Sequence, residues 1–133
     1  MSKVRVLLAD DHPNLLEIVE SVLEPTFEVV GKVADGKSLL EVASELDPDV
    51  IVTDISIPII NGIEEVKTLK ASGSRSKGLF LTLHSDHDFV RAGFEAGASG
   101  YIMKHQMACD LLEAMRAAFA GRIFVSPNLT SRN

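Results

Sequence analysis

Val50-Ile51-Val52-Thr53-Asp54 opens with three apolar β-branched residues in succession and closes on an acid. A strand with one face in water alternates apolar and polar side chains, whereas an unbroken apolar run requires cover on both faces. This run therefore reads as a central strand of a sheet sandwiched between helices, with Asp54 at its carboxyl end. The same grammar extends outward in both directions. Upstream, Leu39, Leu40, Ala43 and Leu46 have helical spacing and follow a strand-like run at 27–33. Before them, Leu15, Leu16, Val19, Val22 and Leu23 share one helical face and follow the apolar run at 4–9. Pro13 suits the first turn of that helix, where its missing N–H costs nothing, and Pro25 stands where the helix should stop.

Downstream, Ile63, Val66 and Leu69 complete a third strand–helix unit. The run at 79–83 with a helix at about 86–96 forms a fourth. The run at 99–103 with Met107, Leu111, Leu112, Met115 and Phe119 forms a fifth. Five successive βα units predict a parallel sheet of the flavodoxin-like, doubly wound (βα)5 type. Gly121 ends the last helix, and Ser126-Pro127 reads as a fresh N-cap with proline at the first helical position. The expected division is one domain over 1–121, with 122–133 beginning a linker to a further domain.

The 133 residues suffice for one core of ordinary size. With 13 basic against 19 acidic side chains the net charge is −6, which argues against direct nucleic-acid binding, because such binding needs a basic face to displace counterions. The single cysteine, Cys109, excludes an internal disulfide and a multi-cysteine metal site, and reads as a small buried thiol in the last helix. No stretch approaches the ~20 apolar residues of a membrane span, so a cytoplasmic protein without a membrane partner is expected.

In a doubly wound sheet the functional groups gather at the carboxyl ends of the strands. Those ends here carry Asp10-Asp11, Asp54, Thr82 and Lys104. Each alone has an ordinary explanation as a cap, turn or strand residue. Their conjunction on one edge does not. Carboxylates ~5 Å apart at an effective dielectric near 20 repel by roughly 3 kcal/mol per pair, so the pocket calls for a cation. Oxygen ligands suit a hard ion such as Mg²⁺, and no His/Cys spacing offers a zinc site. A carboxylate beside such an ion can attack phosphorus, and Asp54, central in the sheet, is the best placed. The ion and Lys104 would neutralise the phosphoryl oxygens.

Leu8-Ala9-Asp10-Asp11-His12-Pro13, the stretch from Asp54-Ile55-Ser56-Ile57-Pro58 to Asn61-Gly62, Thr82, and Gly100-Tyr101-Ile102-Met103-Lys104 together resemble the receiver domain of two-component response regulators. The resemblance spans nearly the whole chain. It implies that Asp54 is the phosphoacceptor, that Asp11 and Asp54 ligate Mg²⁺ directly while Asp10 acts through water, and that Ser56 contributes its backbone carbonyl. It further assigns Thr82 as the hydroxyl that follows the phosphoryl group, Lys104 as its ion-pair partner and Tyr101 as the responding aromatic. Such a domain is a switch that catalyses only its own phosphorylation and dephosphorylation, not an enzyme acting on other substrates.

Asp10-Asp11-His12-Pro13 and the closing Gly121-Arg122-Ile123-Phe124-Val125-Ser126-Pro127 are most similar to the LuxR/FixJ-type subfamily, whose output is a helix-turn-helix domain. Implied partners are a sensor histidine kinase, a second copy on phosphorylation, and DNA only through that C-terminal domain. One departure is His105, where many receivers carry a cis proline; a non-proline cis bond costs about 2.5 to 4 kcal/mol. Ser56 and His84 border the expected path of attacking water. His12 reads as a helix-start or surface residue and His87 as exposed; no histidine is assigned as a ligand. Two other readings compete. A haloacid-dehalogenase-like phosphatase needs a second acid two residues after the nucleophile, where Ser56 stands here. A degenerate receiver acting as a constitutive binding module would have an incomplete acidic pocket.

Overall fold

The computed structural model describes residues 4–24, 26–54, 62–71, 73, 76–82, 95, 97–104 and 107–125, with backbone alone for 62–66 and 107–109. The elements run β1 (Arg5–Ala9), α1 (Pro13–Leu23), β2 (Glu28–Val33), α2 (Gly36–Leu46), β3 (Val50–Asp54), α3 (Gly62–Ala71), β4 (Lys77–Thr82), β5 (Gly100–Met103), α4 (Met107–Phe119) and β6 (Phe124–Val125). The helix expected at 86–96 falls almost wholly outside the described residues.

All neighbouring strands pair in parallel, in the order β2-β1-β3-β4-β5-β6. The doubly wound sheet expected from the apolar runs is present. β1 lies between β2 and β3, so the chain moves outward from β1 and then returns across it to build the other half. The carboxyl ends of β1 and β3 thus flank the point where the winding reverses, the place where such sheets open a crevice.

Strand periodicity divides the core into two layers. Val6, Leu8, Val50, Val52, Leu79, Leu81 and Ile102 meet Val19 and Leu23 of α1 and Leu111, Ala114, Met115 and Ala118 of α4. On the opposite face Leu7, Ala9 and Ile51 meet Leu39 and Ala43 of α2 and Leu69 of α3. Every residue of β3 is buried, as its unbroken apolar run requires.

Local chemistry sets the helix ends. Asp35 caps α2, its carboxylate accepting the Ser38 amide at 2.7 Å. At the other end of α2, the Arg5 guanidinium donates to the Leu46 carbonyl at 2.6 Å and to that of Asp47 at 3.3 Å, a cation placed on the negative end of the helix. Gly121, with φ +77°, follows α4; its amide bonds the Ala118 carbonyl while the Arg122 amide reaches back to Ala117 at 2.8 Å. That pair of bonds is a Schellman cap. The cap redirects the chain onto the sheet, where Phe124 and Val125 pair with Gly100 and Tyr101. A two-residue sixth strand therefore joins the five expected ones, built from residues expected to begin a linker.

Candidate functional site

Register places the acids. Ala9 pairs with Thr53 and Asp54 with Leu81, so Asp10 and Asp54 emerge at the same height from adjacent strands. Alternation also gives them a common side: Val6, Leu8 and Asp10 share one parity, as do Val50, Val52 and Asp54, and Ile102 and Lys104. The apolar members pack under α1 and α4; the charged ones continue that face beyond the core. An added ladder bond from the Asp10 amide to the Val33 carbonyl, 3.0 Å, holds the end of β1.

Lys104 Nζ bridges the acids, 2.9 Å from Asp10 Oδ2 and 3.0 Å from Asp54 Oδ2. Asp10, Asp54 and Lys104 are all buried, at 1%, 6% and 8% exposure, so this ammonium is a fixed counter-charge rather than a surface tether. Burial opposes its charge. Its contacts with Asp10 and Asp54 together outweigh that effect and hold the lysine above its ordinary value of 10.5. Apart from this ion pair, Asp10 Oδ2 accepts no hydrogen bond among the described residues.

Asp11 differs in being exposed, at the mouth of the crevice. One ligand atom from each of Asp10, Asp11, His12 and Asp54 lies within 4.8 Å of the others. His12 has the helix-start, largely exposed place expected of it, with a contact that the sequence reading did not foresee. It is indeed the N-cap of α1, but its ring Nδ1 stands 2.7 Å from Asp10 Oδ1 and 3.1 Å from Asp11 Oδ1. Its sequence position directly after two acids, with Pro13 starting a helix behind it, is the signal that could have exposed this contact.

Thr82 ends β4, buried and paired with Met103, one residue before Lys104. It shares strand parity with Phe80, whose ring centroid is 5.2 Å from that of Tyr101 at 48°. Tyr101 is fully buried. Thr82, Phe80 and Tyr101 are thus linked through the β4–β5 pairing, Phe80 opposite Tyr101 and Thr82 opposite Met103. Ser56, His84, His87 and the Lys104–His105 peptide lie outside the described residues.

Three acids and a buried lysine at the reversal point of a parallel sheet, with no glycine-rich loop after β1 to cradle a nucleotide phosphate, define the receiver class of α/β domain. Residues 6–116 match the family described as the response regulator receiver domain, and the chain belongs to that family. It is 35% identical over 131 residues to the transcriptional regulatory protein DegU of Brevibacillus brevis, covering 97% of this chain and 56% of that protein. It is 33% identical to the nitrate/nitrite response regulator protein NarL of Escherichia coli K12, covering 94% and 59%. The chain thus spans less than two thirds of the length of these relatives. Among solved structures, a LuxR-family two-component response regulator from Aurantimonas sp. SI85-9A1 superposes with a TM-score of 0.90 at 34% identity, covering 96% of this chain and 93% of that one. The isolated receiver domain of RcsB from Salmonella enterica serovar Typhimurium, determined with the phosphomimetic BeF₃⁻, superposes at 0.88 with 27% identity, covering 97% of each.

Proposed function

We propose that this receiver accepts one phosphoryl group on Asp54, and that the observation carrying the assignment is the Asp54 carboxylate held between two further acids and a buried ammonium. In the transfer an Asp54 oxygen attacks phosphorus in line; the new O–P bond forms as the bond to the donor's leaving atom, a histidine nitrogen of a sensor kinase or a carboxylate oxygen of a small acyl phosphate, breaks. Lys104, already 3.0 Å from Asp54, remains beside the product and compensates its added charge.

The acidic cluster fits a divalent cation. Its carboxylate donors are hard oxygens that converge within 4.8 Å of one another, more negative charge than Lys104 alone offsets. Asp11 and Asp54 would hold Mg²⁺ directly, Asp10 through water, and Ser56 by its backbone carbonyl. When bound, the ion supplies charge neutralisation for the phosphoryl oxygens.

Phosphorylation adds about 1.5 to 2 negative charges at the strand ends. Thr82 responds to the phosphoryl group and Tyr101, on the neighbouring strand, to Thr82. Support comes from the places of Thr82 and Tyr101 on paired neighbouring strands, with the Phe80 ring against that of Tyr101. A shift between two packings of that face needs only a few kcal/mol of differential interaction.

The output we assign is transcriptional, through a helix-turn-helix domain joined by a linker that follows β6, with a cytoplasmic location and dimerisation on phosphorylation. The names of DegU and NarL support this, as do solved complexes of RcsB with DNA. No helix among the described residues is long and apolar enough to cross a membrane.

Intact-mass measurement after incubation with acetyl phosphate and Mg²⁺ tests the central assignment. One phosphoryl group per chain is expected, and none on Asp54→Asn. An unmodified wild-type chain would return the domain to a constitutive binding module, and sustained turnover of a generic phosphomonoester would make it a phosphatase.

A further inference from the structure

Beyond the acids and Lys104, an imidazole nitrogen also reaches the crevice among the described residues. His12 Nδ1 lies 2.7 Å from Asp10 Oδ1 and 3.1 Å from Asp11 Oδ1. The same ring offers a ligand atom within 4.8 Å of a carboxylate oxygen of each of Asp10, Asp11 and Asp54.

Backbone geometry keeps the ring there. The His12 amide donates to Asp10 Oδ1 at 2.9 Å, so the root of the side chain is tied to the carboxylate its ring touches. Pro13 then starts α1 and restricts the backbone that follows. The side chain is 61% exposed, leaving its outer edge open to water. A neutral imidazole has two tautomers: with the proton on Nδ1 it donates to the carboxylates, and with the proton on solvent-facing Nε2 it turns the Nδ1 lone pair toward the same space.

We infer that His12 Nδ1 is a further side-chain ligand, beside Asp11 and Asp54, for borderline divalent ions such as Co²⁺ and Zn²⁺, and that it makes this crevice discriminate among metals in a way that its oxygens alone do not. The inference rests on the divalent-cation site proposed above. Mg²⁺ is a hard ion that gains little from imidazole, whereas Co²⁺ and Zn²⁺ bind nitrogen strongly. Coordination moves the ring proton from Nδ1 to Nε2 through solvent, and no other group changes its protonation. Mg²⁺ is held by oxygens with the ring idle; Co²⁺ and Zn²⁺ recruit it.

The test is calorimetric titration of the 133-residue chain with Mg²⁺ and, separately, Co²⁺, on wild type, His12→Ala and His12→Asn. Asparagine retains a hydrogen-bond donor for Asp10 but not the imidazole lone pair. Both variants should weaken Co²⁺ binding by roughly tenfold or more while leaving Mg²⁺ within about twofold. The Co²⁺-loaded wild type should also show a paramagnetically shifted, exchangeable imidazole N–H proton that is absent from His12→Asn. Unchanged Co²⁺ affinity, or equal losses for both metals, would overturn the ligand assignment while the Mg²⁺ site stands. A wild-type chain that binds neither metal would overturn the site itself.

Discussion

Lys104 concentrates the electrostatics of the site in one residue. Removing it as Lys104→Met leaves Asp10 and Asp54 buried without their counter-charge, and breaking a buried pair of this kind costs about 3 kcal/mol. Urea denaturation at pH 7 without divalent ions should show that loss. Its pH dependence has a definite sign. The folded lysine titrates above 10.5, so the stabilisation is complete below the unfolded value and disappears as pH rises through the raised folded one. The gap between wild type and Lys104→Met should therefore stay level through neutral pH and close only in alkali above about 10.5; a gap that narrows between pH 6 and 9 would contradict the pairing. The residue types at this site were legible in the sequence because strand ends are where such sheets work. That Lys104 touches both acids at once was not, since the approach depends on how far a long flexible side chain folds back over the strand ends.

Elements differ in how much of themselves they announce. α2 declares its start through Asp35, and Asp35→Ala should cost about 1 kcal/mol of unfolding free energy, read by denaturant titration, with the fold retained. β6 gives almost no signal. Two residues carry no readable period, and their pairing arises because the Gly121 cap turns the chain toward the exposed edge of β5. Gly100 permits the approach: a Cβ there would stand 2.9 Å from Leu79 Cδ2 and 3.0 Å from the Phe124 carbonyl oxygen. Gly100→Ala should loosen β6 before it disturbs the central strands. Amide exchange would report this as faster exchange at Phe124, whose N–H bonds the Ser99 carbonyl, with β1 and β3 amides unchanged. Equal acceleration across the sheet would instead mean that the added methyl destabilises the whole domain.

At the scale of the whole molecule, metal binding and folding are linked. An ion that binds only the folded chain stabilises it by about 2.7 kcal/mol at a free concentration 100 times its dissociation constant. Mg²⁺ should raise the thermal midpoint accordingly. Asp11→Ala should abolish that increment while leaving the metal-free midpoint almost unchanged, because Asp11 is exposed and remote from both cores; a large loss without metal would show that Asp11 acts in folding instead. The sequence by itself determined the βα alternation, the burial of β3 and the set of acids at the strand ends, because these follow from periodicity and from where short apolar runs stop. Only the tertiary structure decided which strands are neighbours, that Lys104 spans Asp10 and Asp54, that His12 leans onto the acids beside it, and that residues 124–125 extend the sheet. Those outcomes are contacts between distant segments or choices of side-chain direction, and they exist only once the layers have packed.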